Sequence, residues 1–103
     1  MNIQIRAHDL KLTQIQLFAV ERQLLFALAR FGSRLGRVIL RLSDADGHHG
    51  GVHKRCQIEV GMRPKSVHIE HTHPELLVAV NQVPRRAARS VARTLGREHR
   101  WGS

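Results

Sequence analysis

The chain has 103 residues, enough for one domain around one core. Lys and Arg number 17 against 8 Asp and Glu, a formal net charge of +9, which asks for an anionic partner. No run of about 18 apolar residues crosses a bilayer, one cysteine makes no internal disulfide, and no P-loop, GxGxxG or Ser/His/Asp order marks an enzyme.

Met1-Asn2-Ile3-Gln4 has no basic segment followed by an apolar one, so no signal peptide is expected. With the lone Cys56 this fits a reducing cytoplasm. The aromatics are Phe18, Phe26, Phe31 and Trp101, so the core has to be aliphatic.

Ile3 and Ile5 alternate with Asn2, Gln4 and Arg6, which predicts a short strand with one buried face. Thr13 is placed to cap a helix. Leu17, Val20, Leu24, Leu28 and Phe31 form its apolar stripe, ending near Gly32. On that helix Arg22, Phe26 and Arg30 recur at i, i+4, i+8 away from the stripe. An aromatic between two cations suits stacking on a base. Arg37–Leu42 reads as a strand with Val38, Leu40 and Leu42 on one face.

Residues 43–51 hold three Gly and two Asp and read as a loop. Lys54–Val60 alternates again, with Cys56, Ile58 and Val60 inward. After a turn over 61–65, Ser66–His71 is the return strand, Val67 and Ile69 inward. His73-Pro74 opens the last helix. The order β-α-β-β-β-α predicts an α+β fold, a four-stranded sheet with both helices on one face. The opposite sheet face carries Arg55, Gln57, Glu59, His68 and Glu70, and is polar. Residues 1–100 are expected as one domain and 101–103 as a flexible tail.

The last helix is the most informative element. Leu77, Val80, Ala87, Ala88, Val91 and Leu95 mark its apolar side. Arg85, Arg86, Arg89, Arg93, Arg97 and Arg100 fall away from it, and all but Arg85 lie within an arc of roughly 80°. Like charges on one face repel unless a polyanion meets them, and the guanidinium fork suits phosphate. Pro84 lies on the apolar side. It predicts either a kinked continuous helix or a break near Gln82.

His48, His49, His53, His68, His71 and His73 crowd the middle of the chain. His49 with His53, or His71 with His73, are candidate metal pairs, but no Cys stands at metal spacing. The expectation is no metal and no cofactor, with histidines that add charge against RNA as pH falls. Cys56 reads as a small core residue, and Gly47, Gly50 and Gly51 as turn residues.

The element order, the segment Phe31-Gly32-Ser33-Arg34-Leu35 and the run Lys54-Arg55-Cys56-Gln57-Ile58-Glu59-Val60 carry a family resemblance. So does the loop Ser43-Asp44-Ala45-Asp46-Gly47-His48-His49-Gly50-Gly51-Val52-His53-Lys54-Arg55-Cys56. It resembles Ser-Asp-x-Asn-Gly-x-x-Gly-Gly-x-x-Lys-x-Cys of the short, single-domain branch of the ribosome hibernation factors. These are also called ribosome-associated inhibitors or the sigma-54 modulation family. Where that family has an acidic residue at the start of its second helix, His73 stands here; Leu77 replaces its usual Tyr.

The resemblance implies a cytoplasmic protein on the small ribosomal subunit, lying on 16S rRNA in the channel of messenger and transfer RNA and idling the ribosome under stress. The residues add the expectation of a monomer with no enzyme activity, no small-molecule substrate and no membrane partner. The candidate RNA-binding residues are Arg22, Phe26, Arg30, Lys54, Arg85, Arg86, Arg89, Arg93, Arg97 and Arg100. A general binder of structured RNA is the alternative, since the order is close to a double-stranded-RNA-binding domain with an added first strand. A histidine-rich metal protein is a more distant one.

Overall fold

The computed structural model describes residues 1–8, 10–44, 54–63 and 65–102, with the backbone alone for 97–102. The loop glycines and His48, His49 and His53 lie outside the described residues. In order the elements are β1 (Asn2–His8), α1 (Gln14–Leu28), β2 (Arg37–Asp44), β3 (Lys54–Val60), β4 (Val67–His73) and α2 (Leu76–Gly102). The fold is α+β, in the order read from the sequence.

The sheet runs β1-β2-β3-β4. β1 pairs parallel with β2, because α1 carries the chain back across the sheet; β2–β3 and β3–β4 are antiparallel. Alternation puts Val38, Leu40, Leu42, Cys56, Ile58, Val60 and Val67 on one face, all buried. Val20, Leu24 and Leu28 of α1 and Ala79, Val80, Val83, Ala87, Ala88 and Val91 of α2 close over them. Burial of each large aliphatic side chain contributes about 1.5–3 kcal/mol. Ile3, Ile5 and Ile69 pack against this cluster half-buried, since β1 and β4 are the sheet edges. Gly36 and Gly61 extend the β2–β3 ladder: Gly36 N–H donates to the Gly61 carbonyl and Gly61 N–H to the Arg37 carbonyl, both at 2.8 Å. A Cβ on Gly61 would press to 3.2 Å from that Arg37 oxygen.

Several boundaries differ from the reading of the sequence. α1 stops at Leu28, and a tight turn over Ala29–Arg34 follows, in which Gly32 takes φ +56°. Leu17 has the right angle for the buried face but lies in the first turn, and is 40% exposed. β4 runs on through His73, so His73-Pro74 does not open α2. Instead His73 Nδ1 accepts the Glu75 N–H at 3.0 Å just before the helix. Leu77 is 60% exposed; Leu76 takes the inward position, in phase with Val80 and Val83. Leu77 sits some 80–90° off the centre of that arc. Ile39, on the polar face, is nevertheless 6% exposed, between Gln4 and Glu59 on the flanking strands.

α2 continues through Pro84, so the break near Gln82 does not occur. Pro84 has no N–H for the Val80 carbonyl, a loss of about 3 kcal/mol or more in a helix interior. Its ring is fully buried between the helix and the core, which offsets part of that loss.

Candidate nucleic-acid interface

The two faces of the molecule differ in how their charges are matched. On the outer sheet face each acid has a base beside it. Arg41 stands 3.8 Å from Glu59 and Arg55 3.9 Å from Glu70, while Gln57 Nε2 donates to Glu70 at 2.7 Å. On the helix face, among the described residues, no ion pair engages Arg22, Arg85, Arg86, Arg89 or Arg93. All five are exposed.

α2 presents Arg85, Arg86, Arg89 and Arg93 because its buried set, Leu76 to Leu95, recurs every three or four residues and leaves them outside. Arg86 is steadied by a long 3.4 Å hydrogen bond to the Glu70 carbonyl of β4. Asn81, Gln82, Arg85, Arg86 and Arg89, with Val78, line a notch of about 270 Å³. Its polar walls are cations and amides, with no carboxylate among them, which is a wall suited to phosphate oxygens. Arg97 and Arg100 continue the helix, but their side chains lie outside the described residues.

α1 starts cleanly. Thr13 Oγ1 accepts the Gln16 N–H at 3.1 Å and the Gln16 side chain accepts the Thr13 N–H at 3.0 Å, a reciprocal cap. Opposite its buried Leu24, within an arc of roughly 80°, stand Ile15, Phe18, Arg22 and Phe26. Ile15 is 82% exposed, Phe18 62% and Phe26 84%. They border an open groove of about 640 Å³ whose far wall includes Arg85 of α2. Arg22 and Phe26 therefore share one surface. Arg30 is not part of it; it follows the end of α1, with its guanidinium 4.7 Å from the centre of the Phe31 ring.

Lys54 stands on the sheet. It keeps the alternation of Cys56, Ile58 and Val60, so it faces the helix side at the end of β3, with Nζ 2.5 Å from Asp44 Oδ1. Beside it lie His73 and His71, rings 6.2 Å apart. Among the described residues no group of three or more His, Cys, Asp or Glu is placed to hold a metal. Cys56 is fully buried, and desolvation pushes its thiol up to about 12. That makes it a poor nucleophile and a good core residue.

Sequence reasoning missed Ile15, Phe18, Asn81 and Gln82. A signal existed: 15, 18, 22 and 26 repeat at helical spacing on the side away from Leu24, a second stripe on one helix.

No protein-family model matches the chain, and no curated protein matches it in sequence. Among solved structures it is similar to the N-terminal domain of Protein Y from Thermus thermophilus, at 24% identity and a TM-score of 0.74. That match covers 91% of this chain and 99% of that one. It is also similar to a ribosomal subunit interface protein from Coxiella burnetii, at 9% identity and a TM-score of 0.76, covering 93% and 99%. The chain has their fold. Among the described residues no helix is long and apolar enough to cross a membrane.

Proposed function

We propose that this chain is a ribosome hibernation factor. It binds small-subunit rRNA through its helix face and holds the ribosome inactive by occupying the channel of messenger and transfer RNA. The observation that carries the reading is the row of unmatched arginines on α2, on a fold shared with Protein Y and a ribosomal subunit interface protein. The loop and strand motifs of the sequence resemble the same family. No catalytic step is needed. Each guanidinium that meets a phosphate releases counterions, and shape complementarity to a folded RNA cleft supplies selectivity.

The test is co-sedimentation of the full chain with isolated small subunits on sucrose gradients, beside a generic RNA duplex of similar charge. Stoichiometric binding to the subunit, blocked by bound messenger RNA and transfer RNA, is expected. Equal affinity for the duplex would instead make the chain a general binder of structured RNA.

A further inference from the structure

An 84% exposed Phe26 and a 62% exposed Phe18 are not needed by the core and are not explained by phosphate binding. Phe18, Arg22 and Phe26 form a column at i, i+4, i+8 on α1. Successive members stand one turn apart, about 6 Å along the axis. Two stacking distances of about 3.4 Å come to nearly the same separation. An aromatic ring above and a guanidinium below is a setting in which a flat nucleobase gains on both faces.

The groove adjoins the cationic notch. Arg85 lines both, with the column on one side and Asn81, Gln82, Arg86 and Arg89 on the other. The groove volume of about 640 Å³ falls within the roughly 300–1,000 Å³ of small-molecule sites. We infer that this adjoining pair of cavities takes a single unstacked nucleotide of RNA, its base in the Phe18–Arg22–Phe26 groove and its phosphate in the Arg85–Arg86–Arg89 notch. The inference rests on the RNA-binding reading above and adds a base-contacting site to an otherwise electrostatic surface. A second copy of the chain is a poor occupant, since it would set Arg22 and Arg85 against their own copies in a chain of net charge +9. An acidic amphipathic helix would satisfy the arginines but leave the aromatic–cation column without a stacking partner.

The probe is a short single-stranded oligoribonucleotide carrying one 2-aminopurine, compared with the same strand annealed into a duplex. Binding of the single strand is expected to be tighter and to change the 2-aminopurine emission. Phe26→Ala and Phe18→Ala should each weaken it roughly 5- to 150-fold, the span of one lost base stack. Both side chains are exposed, so thermal midpoints should hold. Phe26→Trp should restore binding and Phe26→Leu should not. Equal binding by Phe26→Leu would mean mere apolar cover and overturn the inference. So would self-association, seen by sedimentation equilibrium, that the two Ala variants abolish while RNA affinity stays. If these variants leave salt-sensitive binding to small subunits intact and the emission flat, the nucleotide site is wrong and the ribosome reading stands. If the oligonucleotide binds as described while small subunits are ignored, the reverse holds.

Discussion

The outer sheet face and the helix face are built from similar numbers of charged side chains, yet they behave as opposites. On the sheet, Glu59 and Glu70 lie diagonally across the strands from Arg41 and Arg55, because cross-strand register places unlike charges within reach. On α2 the arginines recur at helical spacing with no acid at i+3 or i+4 between Arg85 and Arg93. On the sheet every described acid is paired, with Arg6 and Arg37 left over; on α2 the described arginines have no acid at all. Total charge says only that the chain is basic; the pairing is what distinguishes its two sides.

The sharpest way to break this comparison is salt. If about seven arginines meet phosphate, affinity for small subunits should fall roughly a thousandfold or more between 50 and 200 mM monovalent salt. Titrations by fluorescence anisotropy at several concentrations measure the slope, and a flat line refutes the electrostatic model. Next in size is position. Arg86→Glu with Arg93→Glu should weaken subunit binding by at least a hundredfold, while Arg6→Glu with Arg41→Glu, the same change in charge on the sheet face, should cost less than tenfold. Equal losses would mean diffuse attraction with no footprint.

Pro84→Ala sharpens the comparison from within α2. It restores one backbone bond and relieves the ring clash, up to about 3 kcal/mol, and gives up two buried methylenes at about 0.8 kcal/mol each. A net gain near 1 kcal/mol is expected in denaturant melts. If Pro84 aims the arginine-bearing half at RNA, subunit affinity falls in the same variant. The smallest effect belongs to the sheet: Glu59→Gln leaves Arg41 in solvent and should cost under about 1 kcal/mol of stability with no loss of binding.

The fold was legible because strand alternation and helical periodicity are local signals, and the core they predict from Val38 to Val60 is the core observed. Ends of elements were less so. Leu17 and Leu77 have the composition of core residues, but Leu17 lies in the first turn of α1, and Leu77 is out of phase with Val80 and Val83, where Leu76 takes the inward place. His73 reads as a helix start beside Pro74, yet β4 claims it through pairing with Lys54. The arginines of α2 were visible one by one. The scarcity of acids within the helix was visible too; that Glu59 and Glu70 are held by Arg41 and Arg55 on the sheet was not, because it depends on strand register. Of the column on α1, Arg22 and Phe26 were legible as an outward pair, but with Arg30, which lies past the end of the helix, as their third member; Phe18 was missed because α1 has two apolar stripes to choose from.

Cys56 gives the molecule a built-in clock. It is the one thiol of the chain and sits on β3, a central strand, fully buried beneath the helices. Alkylating reagents attack the thiolate, and burial holds the proton on to about pH 12 instead of the usual 9. At neutral pH the folded protein should therefore be labelled only when the sheet opens, so the rate of iodoacetamide uptake reads the opening equilibrium directly. Above about pH 9 the unfolded chain loses this proton while the native one keeps it. Stability should then fall by up to about 1.4 kcal/mol per pH unit, and Cys56→Ala should remove that slope. A ribosome-bound chain whose labelling slows relative to the free one would report, through a group that touches no RNA, how tightly the complex holds the fold shut.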